Sequence, residues 1–155
     1  MLNYLAIYPE TIVDGDGIRY AIYLAGCSHC CKGCHNPLSW NPQAGKRLTP
    51  EKIESIIEEI NANPLLDGIT FSGGDPLFNP TAFRMLSKKI KEATKKSIWC
   101  YTGYTFEQIQ SDEVLTKSIE FVDTLVDGQF KADLYSPYLP FRGSSNQNII
   151  RVRQQ

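Results

Sequence analysis

Four of the five cysteines stand in one stretch, Cys27-Ser28-His29-Cys30-Cys31-Lys32-Gly33-Cys34. That clustering limits what this chain can fold into more than any other feature. Three of the four read as C-x3-C-x2-C, and a short loop brings three thiolates to one inorganic centre at little closure cost. A closed structural zinc site or a ferredoxin cluster takes four protein ligands. Three thiolates on a four-iron cube leave one iron open to another molecule, which makes the centre a place for chemistry. Cys30 allows a second reading, Cys27-x2-Cys30 followed at once by Cys31-x2-Cys34, but adjacent pairs can hardly wrap one tetrahedral ion from both sides. A zinc site of three cysteines and one histidine, His29 or His35, is the better alternative. On this octet alone it stays open.

At 155 residues a single domain, 1–155, is expected, large enough to bury roughly two-thirds of its unfolded surface. A net charge of −1 gives no electrostatic case for nucleic acid or an anionic membrane. No apolar run approaches membrane length, and Met1-Leu2-Asn3-Tyr4 does not begin a signal pattern. An odd number of cysteines, four of them packed together, argues against a disulfide framework and for a reducing cytoplasm.

The pattern along the chain alternates. Val13-Asp14-Gly15-Asp16-Gly17 reads as a tight turn entering a strand, Ile18 to Leu24, which delivers the chain to the cysteine loop. From Ala25 to about Arg47 no periodicity appears, a length usual for functional or disordered loops; Trp40, Pro37 and Pro42 argue against disorder. Thr49-Pro50-Glu51 opens a helix with Ile53, Ile56, Ile57 and Ile60 on one stripe. A strand over Gly68 to Ser72 runs into Gly73-Gly74-Asp75-Pro76. Asn79-Pro80 opens the next helix, whose lysines (Lys88, Lys89, Lys91, Lys95, Lys96) read as a solvated face. Ser97 to Tyr101 is a third strand, Thr105 to Gln108 a capping box, Phe121 to Val126 a fourth strand, and Asn148 to Val152 a last one. Five strands alternating with helices predict an α/β fold with a mostly parallel sheet. A closed eight-stranded barrel needs about 250 residues, so only part of one is expected.

Ser72-Gly73-Gly74-Asp75-Pro76 stands at the end of the second predicted strand, where paired glycines admit a ligand to the backbone and a carboxylate can hold an ammonium. An ordinary glycine turn capped by Asp75 explains the same residues. C-x3-C-x2-C followed by this motif resembles the radical S-adenosylmethionine (SAM) enzymes, whose Gly-Gly-Glu-like motif has Asp75 here. Asp14-Gly15-Asp16-Gly17-Ile18-Arg19 resembles the Asp-Gly-Pro-Gly-Ile-Arg run of glycyl-radical activating enzymes, with Asp16 in place of proline. Trp99-Cys100-Tyr101-Thr102-Gly103-Tyr104, Leu125-Val126-Asp127-Gly128-Gln129-Phe130 and Arg142-Gly143-Ser144-Ser145-Asn146-Gln147 narrow the resemblance to the group that activates anaerobic ribonucleoside-triphosphate reductases.

The resemblance implies an open, partial (βα) barrel of the radical SAM type. It implies a [4Fe–4S] cluster, one per chain, on Cys27, Cys31 and Cys34, and SAM as the second cofactor. Gly33, Cys34 and His35 would lie against the adenine; Gly73, Gly74 and Asp75 would take the methionine amino end; Thr102 and Gly103 would face the ribose or carboxylate. Asp127 is a further inward-pointing candidate, or equally a turn residue. Gln129 stands where relatives often have lysine and receives no role. Cys30 receives none, and Cys100 reads as strand core. No side chain is assigned the chemistry, since the radical arises at cluster and SAM. The implied partners are the large reductase subunit, which accepts a glycyl radical, and an electron donor such as a flavodoxin. A small iron–sulfur electron carrier and a zinc-binding interaction module are the competing classes.

Overall fold

Isoleucine spacing and capping residues set the helices, and the computed structural model, which describes residues 2–29 and 37–152, places them where the sequence predicts. Helix α1 spans Pro50–Ala62, with the Thr49 hydroxyl accepting from the Lys52 amide. Helix α2 spans Pro80–Thr94, capped by the Asn79 side chain on the Ala82 amide. The predicted capping box is present: Thr105 accepts from the Gln108 amide, and the Gln108 side chain accepts from the Thr105 amide. It opens α3, Phe106–Gln110, which is followed by a second short helix, α4, Glu113–Ser118.

Among the described residues seven strands form one sheet, where periodicity predicts five. They are β1 Asn3–Thr11, β2 Arg19–Leu24, β3 Lys46–Arg47, β4 Gly68–Gly73, β5 Ser97–Tyr101, β6 Thr124–Asp127 and β7 Asn148–Arg151, in the order β3-β1-β2-β4-β5-β6-β7. The central strands β2, β4, β5 and β6 pair in parallel. The β1–β2, β1–β3 and β6–β7 pairings are antiparallel. The sheet is therefore mixed rather than mostly parallel, because both edges are finished by strands that return without a crossover helix. The extra strands escaped the pattern for physical reasons. β1 is a half-buried to exposed strand with Pro9 in it and two register shifts against β2. β3 is two charged residues whose strand geometry comes from its partner, not from its own propensity. β6 begins later than predicted, since Ile119 and Val122 close the turn after α4.

The helices share one face of the sheet. Tyr20, Ile22 and Leu24 of β2, Ile69 and Phe71 of β4, Ile98 and Cys100 of β5 and Leu125 of β6 join Ile56, Ile60, Phe83, Ile90 and Ile109 in one buried cluster. Each fully buried Ile or Phe there contributes about 1.5–3 kcal/mol. Cys100 belongs to this core as predicted, and burial pushes its thiol up. The alternate residues, Arg19, Tyr23, Thr70, Ser72, Trp99, Tyr101 and Val126, point to the other face. Three of the five lysines in and just after α2 are held within the chain: Lys89 by Glu54, Lys91 by Asp123 and Lys96 by the Leu66 carbonyl. Among the described residues no helix is long and apolar enough to cross a membrane.

Candidate functional site

Strands β2, β4, β5 and β6 point their C-terminal ends the same way, and a cavity of about 300 Å³ opens there. Its lining joins Cys27, His29, Gly73, Gly74, Thr102 and Gly103 with the aromatic rings of Tyr23, Tyr101 and Phe130. The end of β2, just before Cys27, lies against the Gly73-Gly74-Asp75 run. The Gly74 amide donates to the Leu24 carbonyl (2.8 Å) and the Asp75 amide to the Gly26 carbonyl (2.7 Å). Gly74 cannot be larger, since a Cβ there would stand 2.5 Å from the Gly26 carbonyl oxygen. Gly73 takes a left-handed φ of 109°, a conformation cheap only for glycine. Cys27 lies at the lip, its amide bonded to the Trp40 carbonyl (3.3 Å). Cys31 and Cys34, predicted to complete the ligand set, lie outside the described residues, as do Gly33, His35 and Cys30.

Asp75 is 2% exposed, and donors surround its carboxylate. One oxygen, Oδ1, accepts from the Leu77 amide (2.9 Å), capping a short 3-10 turn. The other, Oδ2, accepts from the Thr102 hydroxyl and the Gly103 amide (both 3.0 Å) and lies 2.6 Å from His29 Nε2. A buried carboxylate with fewer donors would pay several kcal/mol of desolvation, on the order of 1–3 kcal/mol per missing bond. Its charge and, before that, burial raise the hydroxyl pKa of Tyr104.

His29 is a member of this constellation that the sequence offered only as an alternative zinc ligand. Nδ1 lies 3.2 Å from the Gln129 side-chain nitrogen, so both ring nitrogens face protein partners. The ring stacks edge-on against Tyr104, with centroids 4.7 Å apart. Gln129, given no role from sequence, is thereby part of the site. Asp127 is not in the lining: its carboxylate accepts from the Phe106 amide (2.8 Å) and the Asn148 amide (2.9 Å), tying β6 to α3 and β7. Its neighbours Val126 and Gly128 line the cavity instead.

The Arg142–Gln147 block also reaches the site. Gln147 accepts from the Gly143 and Ser144 amides and donates to the Gly128 carbonyl, while Asn146 donates to the Gln129 carbonyl. Gly143 and Gln147 form part of the wall. The Asp14–Arg19 turn instead packs at the opposite ends of the strands. There Arg19, 1% exposed, donates to the Thr70 hydroxyl and to the Asp16, Ile69 and Ser97 carbonyls.

Residues 13–150 match the family model for a 4Fe-4S single cluster domain. The chain is 35% identical to an anaerobic ribonucleoside-triphosphate reductase-activating protein of Pasteurella multocida, over 99% of each. It is 35% identical to that of Escherichia coli K12, over 98% of this chain and all of the relative. Against the protein of the same name from Enterobacteria phage T4 it is 34% identical over 96% of this chain and 93% of the relative. The chain belongs to the family of anaerobic ribonucleoside-triphosphate reductase-activating proteins.

The family's cluster fits what the described residues offer. Thiolates are the ligands such clusters take, and Cys27 lines a cavity whose facing wall is glycine backbone and hydroxyl. Cys100, buried in the helix-side core, is not available to it.

Proposed function

We propose that this chain is the activase of an anaerobic ribonucleoside-triphosphate reductase, an enzyme that installs a glycyl radical by removing a glycine Cα hydrogen from that partner. The observation that carries the reading is the cavity at the ends of the parallel strands, where Cys27 faces Gly73-Gly74 and Thr102-Gly103. Cys27, Cys31 and Cys34 would hold a [4Fe–4S] cluster, and the remaining wall would receive SAM. When bound, the two together supply a 5′-deoxyadenosyl radical as the hydrogen-abstracting agent.

The chain's own task is binding and orientation. Backbone at Gly73 and Gly74, with the carboxylate of Asp75, would take the methionine ammonium. Thr102 and Gly103 would face the carboxylate or ribose, and Gly33, Cys34 and His35 the adenine. Asp127 would act at one remove, by holding the strand end that carries Val126 and Gly128. Tyr23, Tyr101 and Phe130 would keep water from the reacting carbon. The sheet serves as an open, partial barrel within one radical SAM domain, 1–155, and its uncovered side admits a glycine-bearing loop of the reductase. A flavodoxin-like protein of the cytoplasm would supply the electron.

The test uses anaerobically purified, reduced protein and a reductase whose glycines carry α-deuterium. Deuterium should appear in 5′-deoxyadenosine, together with a glycine-centred radical by electron paramagnetic resonance (EPR). Cleavage of SAM without that transfer overturns the activase reading. Colourless, redox-silent protein returns the site to zinc.

A further inference from the structure

We propose that His29 is a positioning residue, which ties the backbone just after Cys27 to the carboxylate of Asp75, with Gln129 against the far side of its ring. The proposal rests on the cluster-and-SAM reading of the site for its functional consequence, and on geometry alone for the histidine.

Three strand ends converge on one ring. From the end of β4, Asp75 Oδ2 stands 2.6 Å from Nε2. From the end of β5, Gly103 lies so close that a Cβ there would be 2.5 Å from the ring's Cδ2. Tyr104 adds its edge-on contact. From the loop after β6, Gln129 Nε2 stands 3.2 Å from Nδ1. The amide nitrogen of glutamine only donates, and an ionised carboxylate only accepts. The carboxylate therefore requires a proton on Nε2, and the Gln129 amide meets Nδ1 on the other side of the ring.

The consequence is local and directional. His29 stands two residues after Cys27, so anchoring its ring fixes the backbone beside that proposed ligand. The same bond adds a third donor to Asp75 Oδ2, beside Thr102 and Gly103. Second-shell bonds of this kind orient ligands and keep them in register with their surroundings. A lysine at position 129 offers a donor to Nδ1 as well, whereas an apolar residue offers none.

The test has two readouts on the full, cluster-loaded chain. The first is the 15N imidazole spectrum of the oxidised protein, with the His29 signals identified by their loss in His29→Asn. A protonated Nε2 hydrogen-bonded to a carboxylate is expected, kept in Gln129→Leu and shifted in Asp75→Asn. A bare Nε2 in the wild-type protein, or a His29 signal unchanged in Asp75→Asn, overturns the proposal. The second readout is anaerobic SAM affinity alongside iron content and the EPR change on adding SAM. His29→Ala should bind SAM about tenfold more weakly or worse at unchanged iron content, the loss expected for one hydrogen bond to a charged group. His29→Asn should recover part of it. Gly103→Ala, which pushes the ring away without removing it, should resemble His29→Ala. Wild-type affinity in His29→Ala overturns the proposal, and so does iron loss shared equally by His29→Ala and His29→Asn. If wild-type protein itself ignores SAM, the functional reading above falls and the imidazole spectrum alone decides His29.

Discussion

At the N-terminal ends of the parallel strands the guanidinium of Arg19 fills the space between β2, β4 and β5, while at their C-terminal ends the same strands leave a cavity walled by glycine and hydroxyl groups. Both regions carry a buried ionic group. At Arg19 the nitrogens donate to carbonyls and hydroxyls of β4 and β5 and to the Asp16 carbonyl, Trp99 lies under the cation at 5.6 Å, and Gly15 closes over both. Burial lowers the Arg19 pKa to about 10, so it is charged at neutral pH. At Asp75 the donors come from its own 3-10 turn, from the end of β5 and from His29, and three of those neighbours, His29, Thr102 and Gly103, line the cavity. At one end the chain encloses its charge completely; at the other the partners of the charge face an opening.

The largest expected effect tests the open end. Replacing Cys27, Cys31 or Cys34 with Ala should abolish cluster retention, read as iron per chain, whereas Cys30→Ala should retain it. Loss in Cys30→Ala with retention in Cys31→Ala would reassign the ligands. At the closed end, Arg19→Met removes the cation and leaves buried carbonyls without donors. Urea unfolding should show a loss of about 3 kcal/mol, and a loss under 1 kcal/mol would mean that the guanidinium only fills space.

Asp75→Asn should weaken SAM binding by about 1.5–3 kcal/mol while iron stays bound. Unchanged affinity would make Asp75 a purely structural cap, like Asp127. The smallest effect concerns Tyr23, whose hydroxyl donates to Asp14 between the two ends. Tyr23→Phe should cost about 1 kcal/mol at pH 7. Burial raises the folded-state pKa of Tyr20, Tyr23 and Tyr101 above the ordinary 10.0. The folded state then holds more protons than the unfolded one above pH 10, so stability present below that pH is lost as pH rises through it. Arg19, lowered to about 10, opposes this with a rise in stability between its folded and unfolded values. Three tyrosines against one arginine give a net fall, measured as a urea midpoint declining from pH 9.5 to 11, expected to be shallower in Tyr23→Phe.

Much of this molecule was readable along the chain because its causes are local. Thr49-Pro50, Asn79-Pro80 and the Thr105–Gln108 box cap through residues three apart, and the Ile53–Ile60 stripe follows helical period. Cys27 and Gly73-Gly74-Asp75 follow strand ends, as the alternation of strand and helix predicts. Edge strands carried no such mark. β3 is two charged residues, and β1 owes its pairing to β2 on one side and β3 on the other.

Tertiary structure alone decided which groups meet. Asp75 is 46 residues from His29 in the chain, and Gln129 is 100 residues from it. No periodicity or spacing relates them, since each sits in a different connection and they converge only because parallel strands end together. The same cause separates Asp127 from the cavity that Val126 and Gly128 line: one amide from α3 and one from β7 take its two oxygens. Arg19 reads in sequence as the end of a turn motif, and it became a buried cation only when three strand beginnings closed around it. Residue type and local spacing determine capping and periodicity. The partners of a buried polar group are set by packing, because in low dielectric each donor or acceptor must be satisfied by whatever the fold brings within reach.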